Sequence, residues 1–477
     1  MQTITEKTMK EIKHSSPKKS PLAPGKQRSY NEIIEILDNN WKTNIQDKSL
    51  VCMEQLDKAF GGISKKLQTI LVGGTNGKSL TLHFTSKLLK EEGLSVGTFY
   101  SPHIMTYNER FCINNESISN KLFTEIANEV INVAEAENIK ANSFEILTMM
   151  ALVFFHQNNV DVALLETSEG GTFNATNICN PKIAAITRVT PDNADNMKNE
   201  INDILGIVKK DTWTISADQS KINIQAMLEI VNHKGGKWAM PIRKLAPLSY
   251  PFEQLHGRCA ALAERIAYIF VNEIFTKDAT VVSGSLLTKP KSQRGRPTLE
   301  AKRQAELNPR KTIEQFWKDE QSSLTSRFQL LDKEKPTVLL DNASNLDSFK
   351  NLLLGIRLLH YQRPLKGLTV VLGGNNQSID LNEFLKLLRY FFKKTSGQII
   401  VCPVELQPGQ QGGKNWNVEK ITNDIKSMKI KAKSSNSFKE AFEAAQKTVD
   451  DRHGLVVVTG STSIITEYWR YKGMKKI

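Results

Sequence analysis

Residues 69–81 read TILVGGTNGKSLT, and this stretch determines the fold expected for the first half of the chain. The apolar run TILV predicts a buried strand, and the residues from Lys78 onward have the spacing of an amphipathic helix. Between them, Gly73 and Gly74 permit close backbone approach, and Asn76-Gly77 permits a tight turn. Such a loop directs backbone N–H groups and a helix N-terminus at one point, which predicts a phosphate-binding loop.

Two side chains strengthen this interpretation. Lys78 is placed to reach the β- and γ-phosphates of a nucleotide, and the hydroxyl of Ser79 directly after it is able to ligate Mg²⁺. The alternative is a glycine-rich turn that closes a βα unit and binds nothing. The spacing predicts a phosphate site without naming a reaction.

Short β-branched runs alternate with helical patterns along most of the chain, which predicts α/β architecture with mainly parallel sheets. The alternation stops near residues 289–318, where charged residues, Pro and Gln dominate, and then resumes with PTVLLDN, LTVVLGG, QIIVCPV and LVVVTGS. We therefore expect a P-loop ATPase-like parallel-sheet domain followed by a smaller Rossmann-like domain. The expected boundaries are a disordered basic tail (1–28), the phosphate-loop domain (29–284), a basic insert or linker (285–322) and the smaller domain (323–477).

Composition narrows the class of protein. With 477 residues, 40% apolar and 24% charged, the chain is typical of a globular protein with more than one domain. No apolar run reaches the roughly 18–20 residues of a membrane span, and the N-terminal stretch lacks the apolar core of a secretory signal. The five scattered cysteines indicate neither a disulfide framework nor a zinc site, so a reducing cytoplasm is expected.

The net charge of +14 is partly concentrated in the tail and in residues 289–318. These segments are either solvated basic stretches or sites of attraction to polyanions. Residues 294–297, RGRP, resemble the core of an AT-hook, which inserts Arg side chains into a narrow minor groove. Nucleic-acid binding through this insert is a remote alternative.

Further motifs follow the phosphate loop in a fixed order. They are YSPH (100–103), NER (108–110), SFEILT (143–148), VALLETSEGGTFNATN (162–177), SRFQ (326–329), LLDNASN (339–345) and VVVTGS (456–461). Together with GGTNGKSLT, this series resembles the folylpolyglutamate synthases and dihydrofolate synthases of the Mur ligase superfamily. The resemblance covers about residues 30–477 except the basic insert, and many ordered matches are more specific than one motif.

The resemblance implies an ATP- and Mg²⁺-dependent ligase. In that family, ATP phosphorylates the carboxylate of a folate or dihydropteroate, and the amine of L-glutamate attacks the acyl phosphate to form an amide. Residues 29–284 then form the ATP- and folate-binding domain, and residues 323–477 form the glutamate ligase domain. The family also implies a monomer, and composition leads us to expect no membrane partner.

The resemblance also assigns site residues. The catalytic residues are Lys78, Glu166 and Asp341, and the metal ligands are Ser79, Glu166 and Asn193. The folate or dihydropteroate lies against Ser101, Pro102, His103, Asn108 and Arg110, although His103 also fits an ordinary loop histidine. The ATP contacts are Gly74, Thr75, Asn76, Gly77, Lys78, Ser79, Arg327, Asp341 and Asn345.

The chain departs from the family pattern at chemically important positions. After the phosphate lysine, the family has Gly and then Ser or Thr, whereas this chain has Ser79-Leu80. At five further positions the family residue is replaced: its arginine by Thr172, its metal-binding histidine by Asn193, its carbamylated lysine by Ile204, its nucleotide-binding asparagine by Cys259, and the histidine of its DGAHN motif by Ser344. Losing the carbamate and the metal histidine together weakens the second metal site. Three functions stay open: a divergent working ligase, a nucleotide- or folate-binding relative without catalysis, and a Mur-type amide ligase for another substrate.

Overall fold

The structure is a computed structural model that describes residues 25–41, 49–190, 196–275, 286–287, 312–320, 324–375, 379–410 and 414–476. Three of the sequence-based predictions fall outside these residues: most of the tail, the RGRP segment and the predicted metal ligand Asn193. Within them, no helix is long and apolar enough to cross a membrane.

The first sheet has eight strands among the described residues, in the order β4-β3-β2-β5-β1-β6-β7-β8. At one edge, β3 pairs antiparallel with β2, and β4 pairs antiparallel with β3. All other neighbouring strands pair in parallel. The strands are β1 (Thr69–Gly73), β2 (Val96–Phe99), β3 (Phe111–Ile113), β4 (Glu116–Ser117), β5 (Val162–Glu166), β6 (Ile183–Ile186), β7 (Trp213–Ser216) and β8 (Lys237–Ala239).

Helices cover both faces of this sheet, because its central strands carry apolar side chains on both faces. All five residues of β1 are buried, because Leu71 packs in the core on one face while Ile70 and Val72 pack on the other. The helices of this region are α1 (Tyr30–Asn40), α2 (Val51–Ala59), α3 (Lys78–Glu91), α4 (Asn120–Ala136), α5 (Ser143–Gln157), α6 (Met197–Ile204), α7 (Lys221–His233) and α8 (Phe252–Ile269).

The second sheet has six strands in the described part of the chain, in the order β13-β12-β11-β14-β10-β9. Only its edge strand β9 is antiparallel, and helices again lie on both faces. Its strands are β9 (Gln329–Leu331), β10 (Thr337–Asp341), β11 (Leu368–Leu372), β12 (Gln398–Val401), β13 (Lys431–Ser434) and β14 (Leu455–Thr459). Its helices are α10 (Leu346–Gln362), α11 (Leu381–Phe392), α12 (Val418–Ser427), α13 (Phe438–Gln446) and α14 (Thr462–Tyr471).

One further helix, α9 (Ile313–Asp319), lies inside the segment expected to be a basic linker. Its Trp317 is fully buried in the core that α3 and α8 share, with its ring edge-on to Phe84 at 5.4 Å. The indole N–H donates to Glu264 Oε2 at 3.0 Å. This helix therefore packs on the first sheet's helical layer.

Two α/β units with mainly parallel sheets confirm the predicted fold class.

Candidate functional site

The phosphate loop connects β1 to α3 in a conformation that requires glycine at two positions. Gly74 has φ +123°, and a Cβ there would collide with Thr187 Oγ1. Gly77 has φ +88° at the N-cap of α3, and a Cβ there would lie 2.7 Å from Cys259 Sγ. Positive φ costs little only for glycine, so these two residues hold the loop close to its neighbours.

Lys78 opens α3 and folds back over the loop. Its Nζ donates to the carbonyl oxygens of Gly74 at 2.7 Å and Thr75 at 3.3 Å. Burial lowers the pKa of Lys78, while the nearby carboxylate of Glu166 acts in the opposite direction. The ammonium is thus held inside the loop, where a phosphate would meet it together with backbone N–H groups.

Glu166 ends β5, which pairs with β1 so that Glu166 lies beside Val72 at the carboxyl edge of the sheet. Its Oε1 accepts from Ser79 Oγ at 3.0 Å, and its Oε2 accepts from the Ser101 backbone N–H at 3.1 Å. The side chain is buried, and this burial raises the pKa of Glu166. The positive charge of Lys78 acts on the same pKa in the opposite direction. Open α/β sheets bind their ligands at this edge.

Ser79 and Glu166 would hold one Mg²⁺ ion, because a hydroxyl and a carboxylate meet beside the loop. The described residues do not fit a second metal. Ile204 at the end of α6 packs apolar atoms near Gly73, within 3.3 Å of where a Cβ would stand. In the described ranges, no three His, Cys, Asp or Glu side chains group as metal ligands.

The second sheet contributes groups from the opposite side of the loop. Arg327, just before β9, donates from Nη2 to Ser79 Oγ at 3.2 Å and also hydrogen-bonds Asn342. Asp341 ends β10 and accepts from the backbone N–H groups of Phe328 and Ala343, each at 2.9 Å. Burial raises the pKa of Asp341 to about 6. Asp341 thus anchors the segment that carries Arg327.

Asn76 and Asn345 form a reciprocal amide pair across the two units. Each side chain donates from Nδ2 to the other's Oδ1 at 3.0 Å. Asn76 Nδ2 also lies 3.0 Å from Asp347 Oδ2, and Asp347 pairs with Arg188 at 2.5 Å. Sequence reasoning missed Arg188 and Asp347. The sequence signal that could have found Asp347 was its place in the first turn of α10, two residues after Asn345, which was predicted to contact ATP.

These groups line a cleft of about 460 Å³ between the two sheets. Its polar end is the loop from Thr75 to Ser79 with Glu166, Arg327 and Asp341. Helices α8 and α10 form its other walls. The aliphatic residues that line these helices and the adjoining surface of the cleft are Ala217, Leu245, Leu255, Leu262 and Leu354. A phosphate loop next to an apolar wall is suited to a nucleotide.

The five residues assigned to the folate separate into two groups. Ser101 and Pro102 line the cleft, whereas His103, Asn108 and Arg110 are buried outside its lining. Asn108 donates from Nδ2 to Ile118 O at 3.0 Å and to Asn120 Oδ1 at 3.1 Å, so it ties the turn before β3 to the start of α4.

Arg110 joins this segment to the second unit. It donates to Ser101 Oγ at 3.1 Å, to His103 Nδ1 at 3.0 Å and to the Gly409 carbonyl at 2.7 Å. Its guanidinium also lies over the Trp41 ring at 5.4 Å. The 409–410 loop and Trp41 were not predicted, since nothing in their local sequence marks a site.

Sequence comparison relates the chain to curated synthases over part of its length. It is 32% identical over 221 residues to the dihydrofolate synthase/folylpolyglutamate synthase of Bacillus subtilis (strain 168), which is 44% of this chain and 48% of that protein. It is 37% identical over 126 residues to the enzyme of the same name from Haemophilus influenzae, 26% of this chain and 28% of that protein. The chain thus spans half or less of the length of these relatives. No protein-family model matches it.

Structural comparison covers nearly the whole chain. The folylpolyglutamate synthase of Mycobacterium tuberculosis complexed with ADP and AMPPCP gives a TM-score of 0.72 at 18% identity, over 94% of this chain and 99% of that one. Escherichia coli FolC in complex with DHPP and ADP gives a TM-score of 0.72 at 19% identity, over 94% and 99%. The bifunctional enzyme of Yersinia pestis complexed with AMPPNP and Mn ion gives 0.71 at 20% identity, over 95% and 100%. The resemblance to folylpolyglutamate and dihydrofolate synthases that the motifs predicted is therefore confirmed, in sequence over part of the chain and in fold over nearly all of it.

Proposed function

We propose that the protein is an ATP-dependent ligase that adds L-glutamate to a folate or dihydropteroate through an acyl phosphate. The observation that carries this proposal is the cleft itself. A phosphate loop with a partly buried Lys78, the Ser79–Glu166 pair and Arg327 from the second sheet converge there. The similarity to curated synthases and the nucleotides bound by the related structures support the same activity.

A free carboxylate is a poor electrophile, so it needs a leaving group before an amine attacks it. A substrate carboxylate oxygen attacks the γ-phosphorus of ATP, and ADP departs as the acyl phosphate forms. The amine of glutamate then attacks the acyl carbon, loses a proton, and phosphate leaves with that carboxylate oxygen. Bound Mg²⁺ supplies charge stabilisation at the phosphates.

The chain's own residues position this transfer. Lys78 and the loop N–H groups hold the phosphates, and Arg327 adds a cation from the facing unit. Ser79 and Glu166 would hold the metal, while Ser101 and Pro102 at the cleft wall would face the substrate. The Asn76–Asn345 amide pair holds the second unit against the loop, so that the groups from both units stay close to the transferred phosphate.

A second candidate is a nucleotide-binding relative that has lost turnover. The observation that favours it is Ile204, which stands where the family's sequence pattern has a carbamylated lysine and which packs apolar atoms near Gly73. A ligase at this site would work with the Ser79–Glu166 metal position as its only metal site among the described residues. The predicted monomeric state and cytoplasmic location stay predictions, as does the remote nucleic-acid role.

The direct test is incorporation of labelled L-glutamate by the purified full-length protein with ATP, Mg²⁺ and either dihydropteroate or tetrahydrofolate. We expect an amide product with at least one of these acceptors. Lys78→Ala should abolish it, because the phosphates lose the cation that the loop holds. Lys87→Ala is the matched control, since Lys87 lies on α3 and pairs with Glu320 away from the loop.

If the wild-type protein binds ATP but forms no product with either acceptor, the ligase proposal fails and the binding relative stands. If it binds no ATP, both candidates are wrong. An unchanged product yield in Lys78→Ala would contradict the assignment of the reaction to this loop.

A further inference from the structure

A loop of the second unit docks on the segment of the first unit that follows β2. Gly409 and Gln410, between β12 and α12, form this contact, and we call them the docking loop. The Gly409 carbonyl accepts from Arg110 Nη2 at 2.7 Å. Gln410 Nε2 donates to the Ile104 carbonyl at 2.9 Å, and its Oε1 accepts from Ser463 Oγ of α14 at 2.9 Å. The docking loop is thus held by hydrogen bonds to both units.

The fit of the docking loop requires glycine at position 409. Gly409 has φ +72°, a conformation that costs little only for glycine. A Cβ there would lie 3.0 Å from His103 Cε1 and 3.0 Å from Trp41 Cε2, closer than Cβ atoms normally approach other atoms. The backbone therefore packs directly against two aromatic rings of the first unit, and a larger residue would displace the loop or a ring.

Arg110 receives this loop and holds the residues that follow β2. Its side chain is fully buried. Besides its bond to Gly409, it donates from Nη1 to Ser101 Oγ at 3.1 Å and from Nε to His103 Nδ1 at 3.0 Å. Its backbone carbonyl accepts from the Tyr100 N–H at 2.9 Å. Because a guanidinium is a rigid planar fork, Arg110 fixes the position of Ser101 relative to the docking loop.

Ser101 is in turn hydrogen-bonded to the candidate metal ligand. Its backbone N–H donates to Glu166 Oε2 at 3.1 Å, while Ser79 Oγ donates to Glu166 Oε1 at 3.0 Å. The two bonds together fix the rotation of the carboxylate. Ser101, Arg110 and Glu166 are all buried, where hydrogen bonds are electrostatically stronger than in water. Groups that hydrogen-bond a metal-binding carboxylate orient it and raise its affinity for the metal.

From these contacts we propose that Arg110 is a positioning residue for Glu166, and that the docking loop keeps Arg110 in place. A continuous series of hydrogen bonds connects Gly409 to Glu166. The carboxylate is then fully oriented for Mg²⁺ only when the two units are docked. The inference rests on the metal-binding part of the proposed function. It gives Arg110 a role at the metal site in place of a contact with the folate.

The test measures Mn²⁺ binding to the full-length protein in complex with a non-hydrolysable ATP analogue, by electron paramagnetic resonance. Arg110→Lys keeps the positive charge and loses the planar fork, so it cannot hold Ser101 and the docking loop together. We expect Mn²⁺ to bind about 10- to 100-fold more weakly, the range for groups that orient a metal ligand. Binding of the analogue in EDTA should stay within about twofold of wild type, because the phosphate loop is unchanged.

A double-mutant cycle with Glu166→Gln shows whether Arg110 acts through this carboxylate. Glu166→Gln removes the charged metal ligand, while Ser79 and the phosphates of the analogue remain. If Arg110 orients Glu166, adding Arg110→Lys to Glu166→Gln should cost at most about twofold further in Mn²⁺ affinity. A loss as large as in the wild-type background would mean that Arg110 does not act through Glu166.

Gly409→Ala tests the docking loop without changing Arg110. The added methyl group meets His103 and Trp41, so it displaces the loop, and Mn²⁺ affinity should fall at least about threefold. Gly473→Ala is the matched control, since Gly473 has φ +75° and an added Cβ would meet nothing within 4 Å in the described chain beyond its own neighbours. It has the same backbone cost and should leave Mn²⁺ affinity unchanged. Melting temperatures establish that the variants fold, and if Arg110→Lys does not, the two glycine variants decide.

The inference is overturned if Mn²⁺ affinity in Arg110→Lys stays within about twofold of wild type, or if Gly409→Ala and Gly473→Ala give equal affinities. A wild-type protein that binds the analogue but no Mn²⁺ with it also overturns the inference. A wild-type protein that binds both but forms no amide product removes the ligase proposal and leaves this inference intact.

Discussion

Asp341 is a carboxyl group enclosed at the end of β10, where it accepts two backbone N–H groups and has no ionic partner in direct contact within the described residues. Burial raises its pKa from 3.8 to about 6. A group with a raised pKa in the folded state stabilises the fold below its unfolded pKa, and this contribution is lost as pH rises through the folded value.

Wild-type stability should therefore fall between about pH 4 and pH 6 relative to Asp341→Asn, whose side chain does not ionise. The difference amounts to about 3 kcal/mol for a shift of about two pKa units. Urea denaturation of both proteins from pH 4 to pH 7 measures it. Parallel pH profiles for the two proteins would show that Asp341 titrates normally.

The sequence marks individual site residues only where a local pattern exists. Lys78 was assigned from the phosphate-loop pattern and Glu166 from the family resemblance and its place at the end of an apolar strand, and both roles stay predictions. Their contacts with Gly74 and Ser79 agree with those roles. Arg110 shows the limit of this approach. Its motif suggested a substrate contact, but its partner at Gly409 is 299 residues away, and local sequence does not encode such a pairing.

Helix α9 shows how one aromatic residue fixes a whole element. Trp317 is buried between α3 and α8, and its indole donates to the buried Glu264. We expect Trp317→Ala to lower the free energy of unfolding by about 3–5 kcal/mol, from lost apolar burial and the cavity left behind. Trp317→Phe should cost less, because a phenyl ring fills part of the same space, although the hydrogen bond to Glu264 and part of the ring are lost.

Thermal denaturation of the two variants tests this packing. Tyr361→Ala is the control, since Tyr361 is 71% exposed on α10 and its removal should change stability little. Equal, small effects for Trp317→Ala and Tyr361→Ala would mean that α9 does not anchor the chain to the first unit.

The elements of the two sheets were largely predictable from sequence. Buried parallel strands are continuous apolar runs, and β1, β5, β10 and β14 were all recognisable for that reason. The edge strands were not. β4 is two exposed residues, and β13 is the polar run KAKS, so neither carries an apolar pattern. Such strands form because a neighbouring strand offers hydrogen bonds.

At the scale of the whole molecule, the two units meet over the phosphate loop through the Asn76–Asn345 pair and the Arg188–Asp347 ion pair. Asn345 is also the N-cap of α10, with Oδ1 accepting from the Ser348 N–H. Asn345→Ser keeps a good cap and removes the reciprocal amide bonds, whereas Asn345→Ala loses both.

Asn345→Ser should speed amide hydrogen exchange in the phosphate loop and leave exchange inside α10 close to wild type. Asn345→Ala should speed exchange in both segments, because the helix also loses its cap. If loop exchange in Asn345→Ser matches the wild-type protein, the amide pair does not hold the units together. This contact spans 269 residues, so it was beyond prediction from sequence.

In the proposed reaction, ATP activates a substrate carboxylate at the site that Lys78 and Glu166 form. The most direct measurement uses a folate or dihydropteroate whose reacting carboxylate carries ¹⁸O at both oxygens, with mass analysis of the phosphate released. We predict one ¹⁸O atom in the phosphate for each amide bond formed, because phosphate leaves with the carboxylate oxygen. Phosphate released without ¹⁸O would contradict the account.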